Sequence, residues 1–182
     1  IFVGGQNHFQ DLEGHDRPDM KLPYAQDKLI EELLEVAPDT VMVMFSGSPV
    51  EMPWISKAHT LVWNWFNGME GGTALAEVLF GKVNPSGHLP ETFPVSHLDC
   101  SAHCIGQFPG GKTVDYAEGI FVGYRYYDTK QVPVLFPFGY GLSYTEFVYS
   151  NLRVEGTYPH FKVSVDVTNA GTMAGKEVVQ IY

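Results

Sequence analysis

Apolar positions along this 182-residue chain change their period twice, and the changes divide it into three textures. Ile1-Phe2-Val3 is a β-branched and aromatic run closed by Gly4-Gly5, the pattern of a short buried strand. After a long aperiodic loop, Leu29, Ile30, Leu33, Leu34 and Ala37 recur at helical spacing, with acidic residues between them and Pro38 at the end. That spacing predicts an amphipathic helix over 25–37. Thr40 to Phe45 is apolar on both faces, as an internal strand of a parallel sheet is. A short helical stretch over 54–58 leads to a second buried strand, Thr60 to Phe66, which Asn67-Gly68 ends. Glu70-Gly71-Gly72 then opens a helix from Thr73 to Phe80, stopped by Gly81. Strand and helix alternate, so the expected fold is α/β: a three-layer, doubly wound, mostly parallel sheet.

Beyond Asn84-Pro85-Ser86-Gly87, prolines, glycines and aromatics dominate to about Tyr144, and no period persists. This reads as an extended connector. Its Phe121-Val122-Gly123-Tyr124-Arg125-Tyr126-Tyr127 run is too aromatic for a flexible linker and is expected to lie packed and ordered. From Phe147 onward, apolar and polar residues alternate; Asn169-Ala170-Gly171 is expected to turn the chain into a final strand. About three strands make an incomplete β-sandwich. The chain opens without methionine inside a strand and stops in the apolar run Val178 to Tyr182, so both ends are expected to continue in a longer protein.

Composition excludes some partners. A formal net charge of −10 offers phosphate backbones nothing to attract, so nucleic acid is not an expected partner. The longest apolar stretch, Thr40 to Phe45, cannot span a bilayer, so no membrane association is expected. The compartment stays open. Cys100 and Cys104 lack the second ligand pair of a zinc site, so no metal is expected; a small disulfide loop and two free thiols both remain open. Gly71-Gly72 ahead of a helix has neither a G-x-G-x-x-G pattern nor a Walker lysine, which argues for helix packing over a phosphate cradle.

Six motifs follow one another in order: Glu13-Gly14-His15-Asp16-Arg17, Ser46-Gly47-Ser48-Pro49-Val50, Gly68-Met69-Glu70-Gly71-Gly72, Val83-Asn84-Pro85-Ser86-Gly87-His88-Leu89-Pro90, Gly119 to Asp128, and Phe136 to Thr145. Together they resemble the family 3 glycoside hydrolases, in the β-glucosidase branch. The resemblance implies a barrel carrying an aspartate nucleophile, an α/β sandwich carrying the acid/base, and a fibronectin type III-like domain. Residues 1–97 would then be the α/β sandwich domain, 98–143 an ordered connector and 144–182 the start of the β-sandwich. The barrel, with its nucleophile, would lie upstream in the same chain.

A retaining glycosidase needs two carboxyl groups about 5 Å apart, one attacking the anomeric carbon and one exchanging a proton with the leaving oxygen and then with water. In the long opening loop, where the resemblance places the acid/base, Glu13 is the candidate and Asp11 the second choice. Asp16 and Arg17, adjacent and of opposite sign, are expected to brace that loop rather than touch sugar. His8 and His15 could bond a substrate hydroxyl or simply face solvent. Trp63, Trp65 and Phe66 bring aromatic surface to a strand end, where α/β sheets place binding crevices. They would either stack on sugar or fill the core. The expected activity is cofactor-free hydrolysis of terminal β-D-glucosyl residues from a β-glucoside or cello-oligosaccharide, with this portion inactive alone. The alternative is a non-catalytic module that binds carbohydrate or a partner.

Overall fold

The computed structural model describes all 182 residues. It is a mixed α/β structure whose strands form one three-stranded parallel sheet and two small antiparallel pairs. Two compact units interleave along the chain: Ile1–Gly71 with Pro90–Phe138, and Gly72–Leu89 with Gly139–Tyr182. No helix is long and apolar enough to cross a membrane.

In the first unit, β1 (Phe2–Gly5), β2 (Val41–Phe45) and β3 (Thr60–Trp63) lie side by side in that order. Both pairings are parallel, with Phe2 opposite Met42 and Met44 opposite Trp63. The apolar run on β2 is explained by its place: Met42, Val43 and Met44 are fully buried, so both faces of this central strand are covered. Each such side chain stabilises the fold by about 1.5–3 kcal/mol. Helix α1 (Gln26–Val36) makes the crossover from β1 to β2, burying Ile30 and Leu34. Leu29, on the same predicted stripe, is 55% exposed. The crossover from β2 to β3 is not an α-helix; it holds a short 3₁₀ turn, Ile55–Lys57, and the fully buried Trp54, whose Nε1 donates to Asp27 Oδ1 on α1 at 2.9 Å.

Strand β3 stops at Trp63, three residues before the predicted end. Asn64 N still donates to Met44 O at 2.8 Å, but Trp65 has φ 47°, a left-handed conformation that an extended ladder cannot contain. The segment read as an aperiodic connector holds β4 (Phe93–Pro94), α3 (Ser101–Cys104), α4 (Tyr124–Lys130) and β5 (Val134–Phe136). Helix α4 has no apolar stripe because only Tyr127 is buried, so its period was invisible. Strands β4 and β5 pair antiparallel, with Phe93 opposite Phe136.

The second unit holds α2 (Gly71–Leu79) from Gly72 onward and the hairpin of β6 (Phe147–Thr157) and β7 (His160–Asn169). Two sequence motifs meet in it. Asn84 Oδ1 accepts from Ser143 Oγ at 2.9 Å and Tyr144 N at 2.8 Å, while Asn84 Nδ2 donates to Ala174 O at 3.1 Å. The final strand expected beyond Asn169-Ala170-Gly171 is absent, and β6 and β7 form a two-stranded hairpin. A strand exists through a backbone ladder with a neighbour. The segment after Asn169 keeps a backbone bond from Ala170 N to Glu146 O at 2.8 Å and is further held by side chains: Tyr149 Oη donates to Glu177 Oε1 at 2.7 Å, and His88 Nε2 lies 3.7 Å from the same oxygen.

Candidate functional site

The C-terminal ends of β1, β2 and β3 carry three loops, the side of a parallel sheet where binding crevices form. The first is the long Gln6–Tyr24 segment. Its departure from the sheet is fixed by Gln6 N, which donates to Phe45 O at 2.7 Å, and by Gln26, whose amide bonds Gly5 N and Gly5 O, each at 2.8 Å. Gly5 must be glycine: with φ 132°, a Cβ there would overlap the Phe45 carbonyl.

Within this loop Asn7 starts a turn, accepting at its Oδ1 from Phe9 N at 2.8 Å and at its carbonyl from Gln10 N and Asp11 N at 3.0 Å. Leu12 and His15 then form an isolated antiparallel bridge with Glu13 and Gly14 at its tip. Gly14 has φ 78°, as the third residue of a type II turn requires. The turn leaves Glu13 exposed at its apex. Asp11, one turn earlier, is half-buried, with its carboxylate against Gly47.

Arg17 ties the loop down. Its Nη2 donates to Ser48 Oγ at 2.9 Å and Pro49 O at 3.1 Å, just past the end of β2. Burial pulls this guanidinium below its ordinary value, and the charges of Asp11, Asp19 and Glu91 pull it back up. Its Nη1 is buried without a hydrogen-bond partner. Asp16 is exposed and, with Arg17, Asp19, His97 and His103, lines a small polar cleft of about 180 Å³.

Of the aromatic candidates, Trp63 packs edge-on against Phe93, ring centroids 4.7 Å apart, and Trp65 lies edge-on to both, 6.1 Å from Trp63 and 6.2 Å from Phe93. Both tryptophans are half-buried. Phe66 is different. It is 47% exposed, lies over Gly47, and has the His8 ring 6.3 Å away. The structure thus brings Asp11, Gly47, Phe66 and His8 to one place beyond the C-terminal ends of the strands.

One network escaped the sequence reading. Glu51 Oε1 accepts from Ser96 Oγ at 2.9 Å and His97 N at 3.1 Å, and lies 3.2 Å from His97 Nδ1. Burial pushes this carboxyl up, but the bonds from His97 and Ser96 outweigh it and hold Glu51 below its ordinary value. The readable signal was Ser96-His97-Leu98-Asp99, a capping box whose two reciprocal bonds both form. Glu51 itself carried none. Cys100 and Cys104 are free thiols.

The model of the glycosyl hydrolase family 3 C-terminal domain matches residues 1–144. Among curated relatives, β-glucosidase BoGH3A of Bacteroides ovatus is 51% identical over 191 residues, covering 100% of this chain and 26% of that protein. Thermostable β-glucosidase B of Acetivibrio thermocellus is 49% identical, covering 100% of this chain and 24% of that protein. Among solved structures, the β-glucosidase of Kluyveromyces marxianus in complex with glucose superposes with a TM-score of 0.87 at 43% identity, over 93% of this chain and 20% of that one. The chain therefore spans about a quarter of the length of the curated relatives it matches.

Proposed function

The chain belongs to the glycosyl hydrolase family 3 C-terminal domain family, and from that premise we propose that it is the acid/base-bearing portion of a retaining β-glucosidase. The substrate would be a terminal, non-reducing β-D-glucosyl residue, and the nucleophile would lie in an upstream barrel of the same protein. That the relatives are about four times as long supports such a barrel. In the same reading, 1–97 is the α/β sandwich domain, 98–143 its ordered connector and 144–182 the start of a fibronectin type III-like sandwich. The parallel sheet would belong to a three-layer, doubly wound one, since β1 pairs only with β2 and its other edge is open to a further strand.

The observation that carries the reading is the position of Glu13. A general acid must reach the glycosidic oxygen of a substrate held mostly by another part of the protein. A carboxyl at the exposed apex of a two-residue turn, on a loop anchored by Arg17, meets that need. Glu13 would protonate the leaving oxygen as the glycosyl–enzyme forms, then take a proton from the water that cleaves it. Asp11 faces Arg17 and Gly47 and serves better as that guanidinium's charge partner. Arg17 would position the loop, while Asp16 faces solvent. Phe66, with its open face, would contact the leaving group, while Trp63 and Trp65 pack on Phe93.

Glu13→Gln in the full-length protein tests the assignment. Hydrolysis of alkyl glucosides should fall by about 10²–10⁴-fold, and that of dinitrophenyl glucosides far less, because a good leaving group needs little proton donation. Equal losses on both substrates would remove Glu13 from the role.

A further inference from the structure

Six asparagines are spread along the chain, and five of them are restrained by a hydrogen bond, a following proline or burial. Asn7 Oδ1 accepts from Phe9 N at 2.8 Å. The Asn64 amide nitrogen is buried, ahead of the bulky Trp65. Asn84 is followed by proline and bonded through both ends of its amide. Asn151 Nδ2 donates to Asp166 Oδ2 at 2.7 Å, and Asn169 Nδ2 to Met173 O at 2.8 Å. Asn67 differs from all of these.

Asn67 lies past the left-handed Trp65, outside every helix and strand. It is exposed, and so are Gly68 and Met69 after it. Its carboxamide rests against the bare backbone of Gly71, where a Cβ would overlap it, and makes no hydrogen bond. The Gly68 N–H is uncommitted as well; only the Gly68 carbonyl is used, accepting from Gly71 N at 3.0 Å. The space that a Gly68 Cβ would occupy is empty to 4 Å. The amide nitrogen that follows Asn67 therefore has neither a hydrogen-bond acceptor nor steric cover, on a segment that no ladder or helix fixes.

We propose that Asn67 is a site of spontaneous covalent modification, converting through a cyclic imide to aspartate and isoaspartate. The Gly68 amide nitrogen attacks Asn67 Cγ. The N–Cγ bond forms, the Cγ–Nδ2 bond breaks, and Nδ2 leaves as ammonia with the proton that Gly68 N gives up. Water then opens the imide ring. Cleavage at Cγ leaves aspartate, whereas cleavage at the Asn67 carbonyl carbon reroutes the main chain through Cβ and Cγ as isoaspartate. One water is consumed and one ammonia released, with no change of oxidation state. Because the attacking nitrogen must lose its proton, the conversion quickens as pH rises. Either product places a carboxylate directly after Phe66, whose ring is exposed. The assignment does not rest on the role of Glu13.

The test ages the full-length protein in mildly alkaline buffer and maps it by mass spectrometry against an unaged control, with the tryptic digestion kept mildly acidic. Cleavage after Lys57 and Lys82 yields one peptide that holds both Asn64 and Asn67. The mass gain of an amide-to-acid exchange is expected to accumulate at Asn67 and not at Asn64. The aged protein should also accept methyl groups from S-adenosylmethionine through an isoaspartyl methyltransferase, and Asn67→Gln should abolish both signals. Gly68→Ala should slow the conversion about tenfold, because a methyl crowds the attacking nitrogen and narrows the backbone's freedom. Gly68 has neither a left-handed φ nor an atom within 4 Å of an added Cβ, so that variant keeps the fold. An Asn67 that stays unchanged over the time in which the urea-unfolded chain converts, conversion of Asn64 to the same extent, or a rate that Gly68→Ala leaves unaltered overturns the proposal.

Discussion

Replacing Arg17 by methionine keeps much of the apolar stem of the side chain and removes its charged fork. Two hydrogen bonds are lost, to Ser48 Oγ at 2.9 Å and Pro49 O at 3.1 Å, both from a charged donor. Such bonds contribute about 1.5–3 kcal/mol each when buried. Arg17 is only half-buried, so solvent competes for both, and the pair is worth about 2 kcal/mol in holding the Glu13 loop against β2. Each 1.4 kcal/mol is a factor of ten in population, so the anchored loop is depleted by about thirtyfold. If Glu13 donates its proton from that anchored state, kcat/KM in the full-length protein should fall by about thirtyfold on alkyl glucosides and by only a few fold on dinitrophenyl glucosides. The assay is a leaving-group series, read as the slope of log kcat/KM against leaving-group pKa, which should steepen. Arg17→Lys keeps the charge without the fork and should recover only part of the loss. An unchanged slope with a uniform loss would mean that Arg17 serves folding alone. Activity within twofold of the parent would mean that the loop needs no anchor.

Two further substitutions probe the neighbourhood. Gly47→Ala places a methyl on the Asp11 carboxylate and 3.1 Å from the Phe66 ring, so Asp11 must swing away, with a stability cost of about 1 kcal/mol. The leaving-group slope should stay as in the parent; a slope matching Glu13→Gln would assign the acid to Asp11. The Glu51 carboxyl is held below its ordinary value, so it contributes stability above the unfolded glutamate value of about 4.3, and that contribution is lost as pH falls through the lower folded value. Glu51→Gln should therefore lower Tm at pH 7 and flatten the decline of Tm below pH 4.3, and parallel acid limbs in the two proteins would refute the linkage.

The sequence determined the elements whose signal is local. Helix α1 and strand β2 could be read because burial imposes its period on consecutive residues. Strand β1 and the β6–β7 hairpin were legible from β-branched and aromatic runs and from apolar–polar alternation, although their side chains are largely exposed or half-buried. The buried strand expected at Ile1-Phe2-Val3 is therefore not buried. The order of six motifs indicated the family. What remained hidden depends on residues far apart in the chain. The length of β3 was settled by a single φ at Trp65, and α4 buries one residue, too few to make a stripe. The segment beyond Asn169, apolar enough to suggest a strand, forms none.

The site divides along the same line. Adjacent charges at Asp16 and Arg17 suggested a braced loop, but Asp16 is exposed without a hydrogen bond or ion pair, the partner of Arg17, Ser48, lies 31 positions on, and Glu51 meets His97 across 46. Trp63, Trp65 and Phe66 look alike in sequence. Only the tertiary structure turns the first two toward Phe93 and leaves the third open above Gly47. Strands β4 and β5 pair through Phe93 and Phe136, residues 43 apart. Sequence periodicity records which side chains must be buried, whereas which of them meet is set by strand pairing and loop closure, which act over distances the local pattern does not span.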